Sequence, residues 1–181
     1  LRLDSLQKAE DFFKQALSLD YPDKSAIYFR LGLILEELRR FSDAANWYYE
    51  VSSGPNLIFS KCKYALLIGR LGRINEAEQI FDKIRARTVA ESVQVIQFKA
   101  QFFRESEKYQ DAYLLLQNGL KRYPKNESLL YDFALAAERV DRLDHLEASL
   151  LQLIKIRPDH AQAYNALGYT LADKNLRLSE A

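Results

Sequence analysis

Few side chains in this sequence could carry out chemistry, and the candidates stand apart from one another. The chain has one cysteine, Cys62, and two histidines, His145 and His160. A nucleophilic thiol needs a basic partner, and a metal site needs several His, Cys, Asp or Glu ligands at a defined spacing. Neither pattern surrounds these residues, and no glycine-rich phosphate loop or Ser-His-Asp arrangement is found. We therefore expect no enzyme active site, no metal site and no cofactor. The histidines are predicted to be surface or helix-capping residues, and Cys62 a buried or groove-lining thiol.

The composition narrows the class of partner. Lys and Arg total 26 and Asp and Glu total 25, so a net charge of +1 provides no long-range attraction to nucleic acid. Hydrophobic residues make up 48% of the chain, with only 6 Gly and 4 Pro, which favours a packed and mostly helical protein. No segment approaches the roughly 18 apolar residues of a membrane span. Because the chain lacks methionine and a leader-like segment, we expect it to be part of a longer protein. The composition leaves the compartment open.

The elements that carry these side chains recur with a period of about 34 residues. Four series of residues share that period. The prolines are Pro22, Pro55, Pro124 and Pro158, and the small residues are Gly32, Ala65, Ala100, Ala134 and Gly168. A third series is Ala9, Ala44, Ala77, Ala112 and Ala181, with Leu146 in the remaining position. Large apolar residues follow the third series at Phe13, Tyr48, Phe81, Leu116 and Leu150.

Within each period, apolar residues recur every three or four positions, which predicts two amphipathic helices. Polar turns such as Arg39-Arg40 separate the two helices, and proline followed by Asp, Asn or Ser ends one helix and begins the next. The predicted helices are 3–20, 25–38, 41–53, 57–71, 74–87, 91–105, 109–122, 127–140, 143–156 and 161–173, with an eleventh beginning at 178–181. The predicted fold class is all-α.

These units resemble tetratricopeptide repeats. That family has an aromatic residue, Leu-Gly, and Tyr or Leu on the first helix, then a spaced alanine, an aromatic residue and a proline. The matching residues are Tyr28, Leu31, Gly32, Leu35, Ala44, Tyr48 and Pro55, and again Tyr164, Leu167, Gly168 and Leu171. Lys61, Lys99 and Leu146 depart from the pattern, which suggests looser packing in the units that contain them.

The resemblance implies one array over 1–181, a right-handed superhelical solenoid of stacked antiparallel helix pairs. Its repeats would be the second helix of a preceding repeat at 1–24, full repeats at 25–57, 58–92, 93–126 and 127–160, and the start of a further repeat at 161–181. The last segment also resembles the final repeats of long bacterial proteins of this family, which favours a bacterial adaptor in either the cell envelope or the cytoplasm.

The small residues have a predicted structural role. Glycine inside a helix costs about 1 kcal/mol relative to alanine, so Gly32 and Gly168 need a compensating gain. Close approach of the two helices in one repeat would supply it, and Ala65, Ala100 and Ala134 occupy the same position.

In this family the first helices of the repeats line a concave groove that holds a peptide or helix of a partner. Carried onto this chain, the predicted partner-binding residues are Phe29, Leu33, Cys62, Leu66, Gln97, Gln101, Tyr131, Leu135, Asn165 and Tyr169. Some members clamp a chaperone's C-terminal carboxylate with Lys and Asn. In this chain Lys63 is the one cation at the clamp positions, and the others hold Phe29, Leu33, Gln94 and Phe98. Binding of a chaperone's C-terminus is therefore not predicted.

The leading hypothesis is therefore a non-catalytic scaffold that binds a protein or peptide in its groove. Three alternatives stay open at this level: a docking arm of a larger enzyme, a module that self-assembles through the last helix, and a helical repeat that binds RNA. Balanced charge and an apolar groove argue against RNA.

Overall fold

The computed structural model describes residues 2–19 and 21–173, and its regular structure over those residues is ten α-helices and no strand. The helices are α1 (Arg2–Ser18), α2 (Lys24–Glu37), α3 (Phe41–Glu50), α4 (Leu57–Arg70), α5 (Ile74–Lys83), α6 (Val89–Glu105), α7 (Tyr109–Arg122), α8 (Glu127–Arg139), α9 (Leu143–Ile156) and α10 (Ala161–Asp173). This agrees with the all-α prediction. The predicted helix at 178–181 lies outside the described residues. No helix among the described ones has the length and apolar character to cross a membrane.

The chain divides into two compact units, Leu1–Ser106 (unit 1) and Glu107–Ala181 (unit 2). In unit 1, α1 packs against α2, α2 against α3, α3 against α4, and α4 against both α5 and α6. In unit 2, α7 packs against α8, α8 against α9, and α9 against α10. The boundary falls inside the repeat expected at 93–126, so that repeat contributes α6 to unit 1 and α7 to unit 2.

Side-chain caps fix where several helices begin. The Asp23 carboxylate accepts the Ala26 N–H at 2.9 Å at the start of α2, and the Asn126 side chain accepts the Leu129 N–H at 3.0 Å at the start of α8. Thr88 and Glu91 form a reciprocal capping box at α6. That box starts α6 at Val89, two residues before the predicted position.

Two second helices end earlier than the sequence pattern predicts. α3 ends at Glu50 rather than at 53, and α5 ends at Lys83 rather than at 87. The residues that follow, Val51 and Ile84, are extended and buried, at 2% and 8% exposure. Both are apolar and β-branched, so burying them in the core in an extended conformation replaces another helical turn.

Close packing is clearest at two glycines of unit 1. A Cβ atom added at Gly32 would lie 2.6 to 2.8 Å from the ring of Tyr48, on the second helix of the same repeat. A Cβ atom added at Gly69 would lie 2.8 Å from the Phe102 ring of α6. The ring therefore occupies the space that a side chain would need. Ala65, Ala100 and Ala134 are fully buried, whereas Gly168 is half-buried.

Candidate functional site

A cavity of about 430 Å³ lies between α8, α9 and α10 of unit 2. We call it the unit 2 cavity, and its lining residues are Tyr131, Ala134, Leu135, Glu138, Leu146, Leu150, Gln162, Asn165, Ala166, Tyr169 and Thr170. Its size falls within the range of pockets that hold small ligands or large side chains.

The lining of the unit 2 cavity separates into an apolar floor and a polar rim. The floor includes Leu146 and Leu150, which are 2% and 0% exposed and belong to the core of the unit. The rim includes Tyr169, whose side chain is 70% exposed, and the exposed side chain of Asn165. An apolar floor favours an apolar side chain, and amide and phenol groups at the rim can hydrogen-bond to a polypeptide backbone.

The local structure holds α8 and α10 in place on either side of the cavity. His160 accepts the Ala163 N–H through its Nδ1 at 3.2 Å, which caps α10, and its ring centroid lies 5.7 Å from that of Tyr131 on α8. Arg157, directly after α9, also pairs with Glu127 at the start of α8, at 3.0 Å. The His160 contacts join the start of α10 to α8, so they help to fix the two helices that border the cavity.

The corresponding face of unit 1 is filled by three aromatic rings. Phe29 on α2 contacts Phe59 on α4 edge to face, with centroids 5.6 Å apart, and Phe59 contacts Phe98 on α6 in the same way at 5.3 Å. The Nζ atom of Lys63 lies 5.7 Å from the Phe59 centroid and 5.9 Å from the Phe98 centroid. Edge-to-face rings and a cation over two ring faces are mutually attractive arrangements.

Charged groups on this face of unit 1 are paired with one another. Lys63 Nζ donates to Glu36 Oε1 at 3.0 Å, and the Tyr48 hydroxyl donates to Glu36 Oε2 at 2.6 Å. Burial, this hydrogen bond and the Glu36 charge all raise the pKa of Tyr48 far above its ordinary value. The Glu36 carboxylate is thus satisfied on both oxygens by unit 1 itself.

A second ion pair follows along the same face. Arg70 donates to both carboxylate oxygens of Glu105, at 2.8 and 2.7 Å, and Gln101 donates to Glu105 at 2.8 Å. Burial alone would raise the pKa of Glu105, but the hydrogen bonds from Arg70 and Gln101 outweigh it and lower that pKa. Gln101, expected to face a partner, is therefore engaged within the unit.

The residues predicted from the sequence to bind a partner fall into three groups. Tyr131, Leu135, Asn165 and Tyr169 are brought together in the unit 2 cavity. Phe29, Leu33, Gln97 and Gln101 are half-buried in unit 1.

The third group is buried. Cys62 and Leu66 are 0% and 1% exposed and belong to the core of unit 1, and Leu66 also lines a cavity with Arg70, Phe102 and Glu105. Burial raises the pKa of the Cys62 thiol to about 12, which keeps it protonated and unreactive near neutral pH.

The repeat pattern did not select Glu138 and Gln162 for the unit 2 cavity, or Phe59 for the face of unit 1. The helical spacing of the first two already points to the cavity. Glu138 lies three residues after Leu135, and Gln162 lies three residues before Asn165, so each shares a face with a predicted residue.

The histidines considered for chemistry have structural surroundings. His160 caps α10, as expected. His145 is half-buried rather than a surface or capping residue: its ring stacks on Tyr113 at 5.9 Å and lies 5.8 Å from Phe133, and its Nδ1 shares a hydrogen bond with the Tyr113 hydroxyl at 2.5 Å. Among the described residues, no cluster of His, Cys, Asp and Glu is arranged to hold a metal ion.

Paired helices with small residues at their crossings define the class of helical-repeat proteins. The family model for the N-terminal tetratricopeptide-repeat region of Psidin matches residues 51–167. A TPR repeat-containing protein of Pseudomonas aeruginosa is 33% identical over 156 residues, which cover 86% of this chain and 26% of that protein. The chain therefore belongs to the tetratricopeptide-repeat family, and it spans about a quarter of the length of that relative.

Solved structures show the same fold at low sequence identity. A chain of MamA from Desulfovibrio magneticus that runs from residue 41 to the end superposes with a TM-score of 0.60 at 15% identity, covering 87% of this chain and 89% of that chain. YrrB, described as a TPR protein with an unusual peptide-binding site, superposes with a TM-score of 0.55 at 16% identity, covering 93% of this chain and 86% of YrrB.

Proposed function

We propose that this chain is a non-catalytic protein-interaction module that binds a polypeptide segment of a partner in the unit 2 cavity. One observation carries the proposal: four residues that the repeat pattern assigns to the binding face, Tyr131, Leu135, Asn165 and Tyr169, line one cavity. The tetratricopeptide-repeat architecture supports this role, since its stacked first helices form extended binding surfaces.

The chemistry of the cavity favours a polypeptide over a small polar metabolite. Its floor is aliphatic, while its rim offers the amides of Gln162 and Asn165 and the phenols of Tyr131 and Tyr169. A side chain of the partner would enter the floor, and the rim groups would hydrogen-bond to its backbone. This division into apolar anchoring and backbone hydrogen bonding is common in peptide recognition.

Photo-crosslinking in the cell tests the proposal directly. In the full-length protein, p-benzoyl-phenylalanine replaces Tyr169 in one variant and Tyr49 in the other. Tyr49 is the matched control because it is also a tyrosine on a helix and is 67% exposed, compared with 70% for Tyr169. We expect a discrete adduct with another protein from position 169 and none of that mass from position 49.

Other adducts would assign other functions. An adduct that contains only a second copy of the chain would favour self-assembly, and an adduct sensitive to ribonuclease would favour RNA binding. No adduct at position 169, or the same adducts at both positions, would contradict the proposal.

A further inference from the structure

We propose that the unit 2 cavity selects partner segments that present a large apolar side chain together with a lysine or arginine. This inference rests on the proposed function and specifies the chemistry of the partner. It comes from comparing the cavity with the same repeat positions in unit 1, where the chain supplies both groups itself.

The two sites can be aligned through their small residues. Tyr131 precedes Ala134 by three residues as Phe29 precedes Gly32, and Glu138 follows Ala134 by four residues as Glu36 follows Gly32. An aromatic residue and a glutamate therefore occupy equivalent positions on α2 and α8, the first helices that open the two sites.

The facing helices differ. In unit 1, Phe59 and Lys63 lie six and two residues before Ala65 on α4. In unit 2, the residues six and two before Gly168 on α10 are Gln162 and Ala166, and both line the cavity. An aromatic ring and a long cationic side chain are thus replaced by an amide and a methyl group, and a cavity of about 430 Å³ lies there.

Because Ala166 stands in the place of Lys63, α10 does not supply at that position the cation that pairs with Glu36 in unit 1. Glu36 is bound by Lys63 at 3.0 Å and by the Tyr48 hydroxyl at 2.6 Å. Glu138 is exposed and is the one charged side chain among the described residues that line the cavity. None of the ion pairs found between described residues includes it.

A carboxylate at the edge of an apolar cavity attracts a cation and repels an acidic segment. The partner is inferred to supply the two groups that α4 supplies in unit 1: an apolar side chain, preferably aromatic, in the place of Phe59, and a cation in the place of Lys63. Because Phe59 and Lys63 are four residues apart, a helical partner segment would present them at the same spacing.

Synthetic peptides of defined composition test this inference. The probes are capped, alanine-based helical peptides that carry Phe and, four residues later, Lys, Ala or Glu, with binding followed by fluorescence anisotropy. We expect the Phe/Lys peptide to bind about tenfold more tightly than the Phe/Glu peptide at low salt, and the difference to shrink as salt is added. Glu138→Gln should bring the Lys and Ala peptides to equal affinity.

A variant that places a lysine at the cavity provides a more direct test of the inference. Ala166→Lys places a lysine at the position equivalent to Lys63, where it can pair with Glu138 and compete with the peptide. It should weaken the Phe/Lys peptide about tenfold or more. Ala90→Lys, the same change at an exposed alanine of α6, is the matched control and should leave binding unchanged. Circular dichroism of each variant verifies that helix content is retained.

Equal binding of the Lys and Glu peptides would overturn the inference. It would also be overturned if the Ala166→Lys variant bound the Phe/Lys peptide as tightly as the unchanged protein does, or if none of the three peptides bound. A stable dimer that buries Tyr169 would overturn it as well, because a second copy would then occupy the cavity. If crosslinking from position 169 still captured a different protein, the proposed function would stand and only the assigned chemistry would be wrong.

Discussion

Between α2 and α4 of unit 1, Phe59 and Lys63 occupy the space beside Phe29, whereas between α8 and α10 of unit 2, Gln162 and Ala166 face a cavity beside Tyr131. Both regions are built on the same repeat positions. The same repeat positions hold stabilising side-chain contacts in unit 1 and border a cavity in unit 2, where we propose that a partner binds. Two side chains on the facing helix make the difference.

Chemical labelling gives the largest expected contrast between the two units. Cys62 of unit 1 and Tyr131 of unit 2 each lie three residues before the small residue of their helix, yet Cys62 is 0% exposed and Tyr131 lines the cavity. In a Cys62→Ala background, a Tyr131→Cys thiol should react with a disulfide reagent roughly 100-fold or more faster than Cys62 does in the unchanged protein, because Cys62 reacts only after local unfolding.

The labelling rates are read by absorbance under native conditions, with unfolded protein as the reference for full reactivity. Comparable rates for the two thiols in the folded state would show that Cys62 is as accessible as the residue that lines the unit 2 cavity, which would contradict its burial in the core of unit 1.

The close packing of unit 1 is tested at Gly32. Helix propensity alone predicts that Gly32→Ala stabilises by about 1 kcal/mol. The Tyr48 ring, 2.6 to 2.8 Å from the added Cβ atom, predicts the opposite sign, with a loss of about 1 to 3 kcal/mol from overpacking. Urea unfolding followed by circular dichroism decides between them, and a stabilised variant would show that the ring moves away freely.

The same packing is predicted at Gly168, where Gly168→Leu should cost roughly 1 to 3 kcal/mol. Thermal unfolding of that variant measures the loss. A neutral substitution there would confine the close helix crossing to unit 1.

The two equivalent glutamates provide a matched pair of substitutions. Glu36→Gln removes the charge that Lys63 and the Tyr48 hydroxyl bind, so we expect a loss of about 1 to 2 kcal/mol in the free energy of unfolding. Glu138→Gln changes an exposed carboxylate and should stay within about 0.5 kcal/mol of the unchanged protein. Equal losses for the two variants would mean that Glu138 has a stabilising partner in the folded protein, which would contradict the proposal that it recognises a cation.

The smallest expected effect concerns a turn that both units share. Arg39 in unit 1 and Asp141 in unit 2 follow the first helix of a repeat with φ angles of 57° each. This left-handed conformation suits glycine, and Gly72 occupies the same turn after α4 with φ of 84°. Arg39→Gly and Asp141→Gly should each raise stability by up to about 1 kcal/mol, with the smaller gain at Asp141 because Asp tolerates this conformation better.

Differential scanning calorimetry measures both gains. A loss of stability in either variant would show that the side chain contributes more in the folded state than the relief of backbone strain.

Much of the fold follows from local patterns in the sequence. The recurring apolar positions indicated the ten helices, and the Asp23 and Asn126 caps fall where the proline-containing turns predicted a helix start. The small-residue series also marked Gly32, where the Tyr48 ring occupies the space that a side chain would need. The misplaced ends of α3 and α5 have one cause: burial of Val51 and Ile84 depends on neighbours that are distant in sequence, and periodicity does not report on them.

The period, the helices and their apolar faces follow from local signals, because helix propensity, capping and amphipathic spacing act within a few residues. Which positions of those faces stay open depends on how the helices pack. Cys62 and Tyr131 have the same place in the repeat, and whether such a residue is buried depends on side chains from a helix about 30 residues away. Phe59 and Lys63 fill the space between α2 and α4, whereas Gln162 and Ala166 border the unit 2 cavity. Each pair reaches its site only because the helices pack against one another.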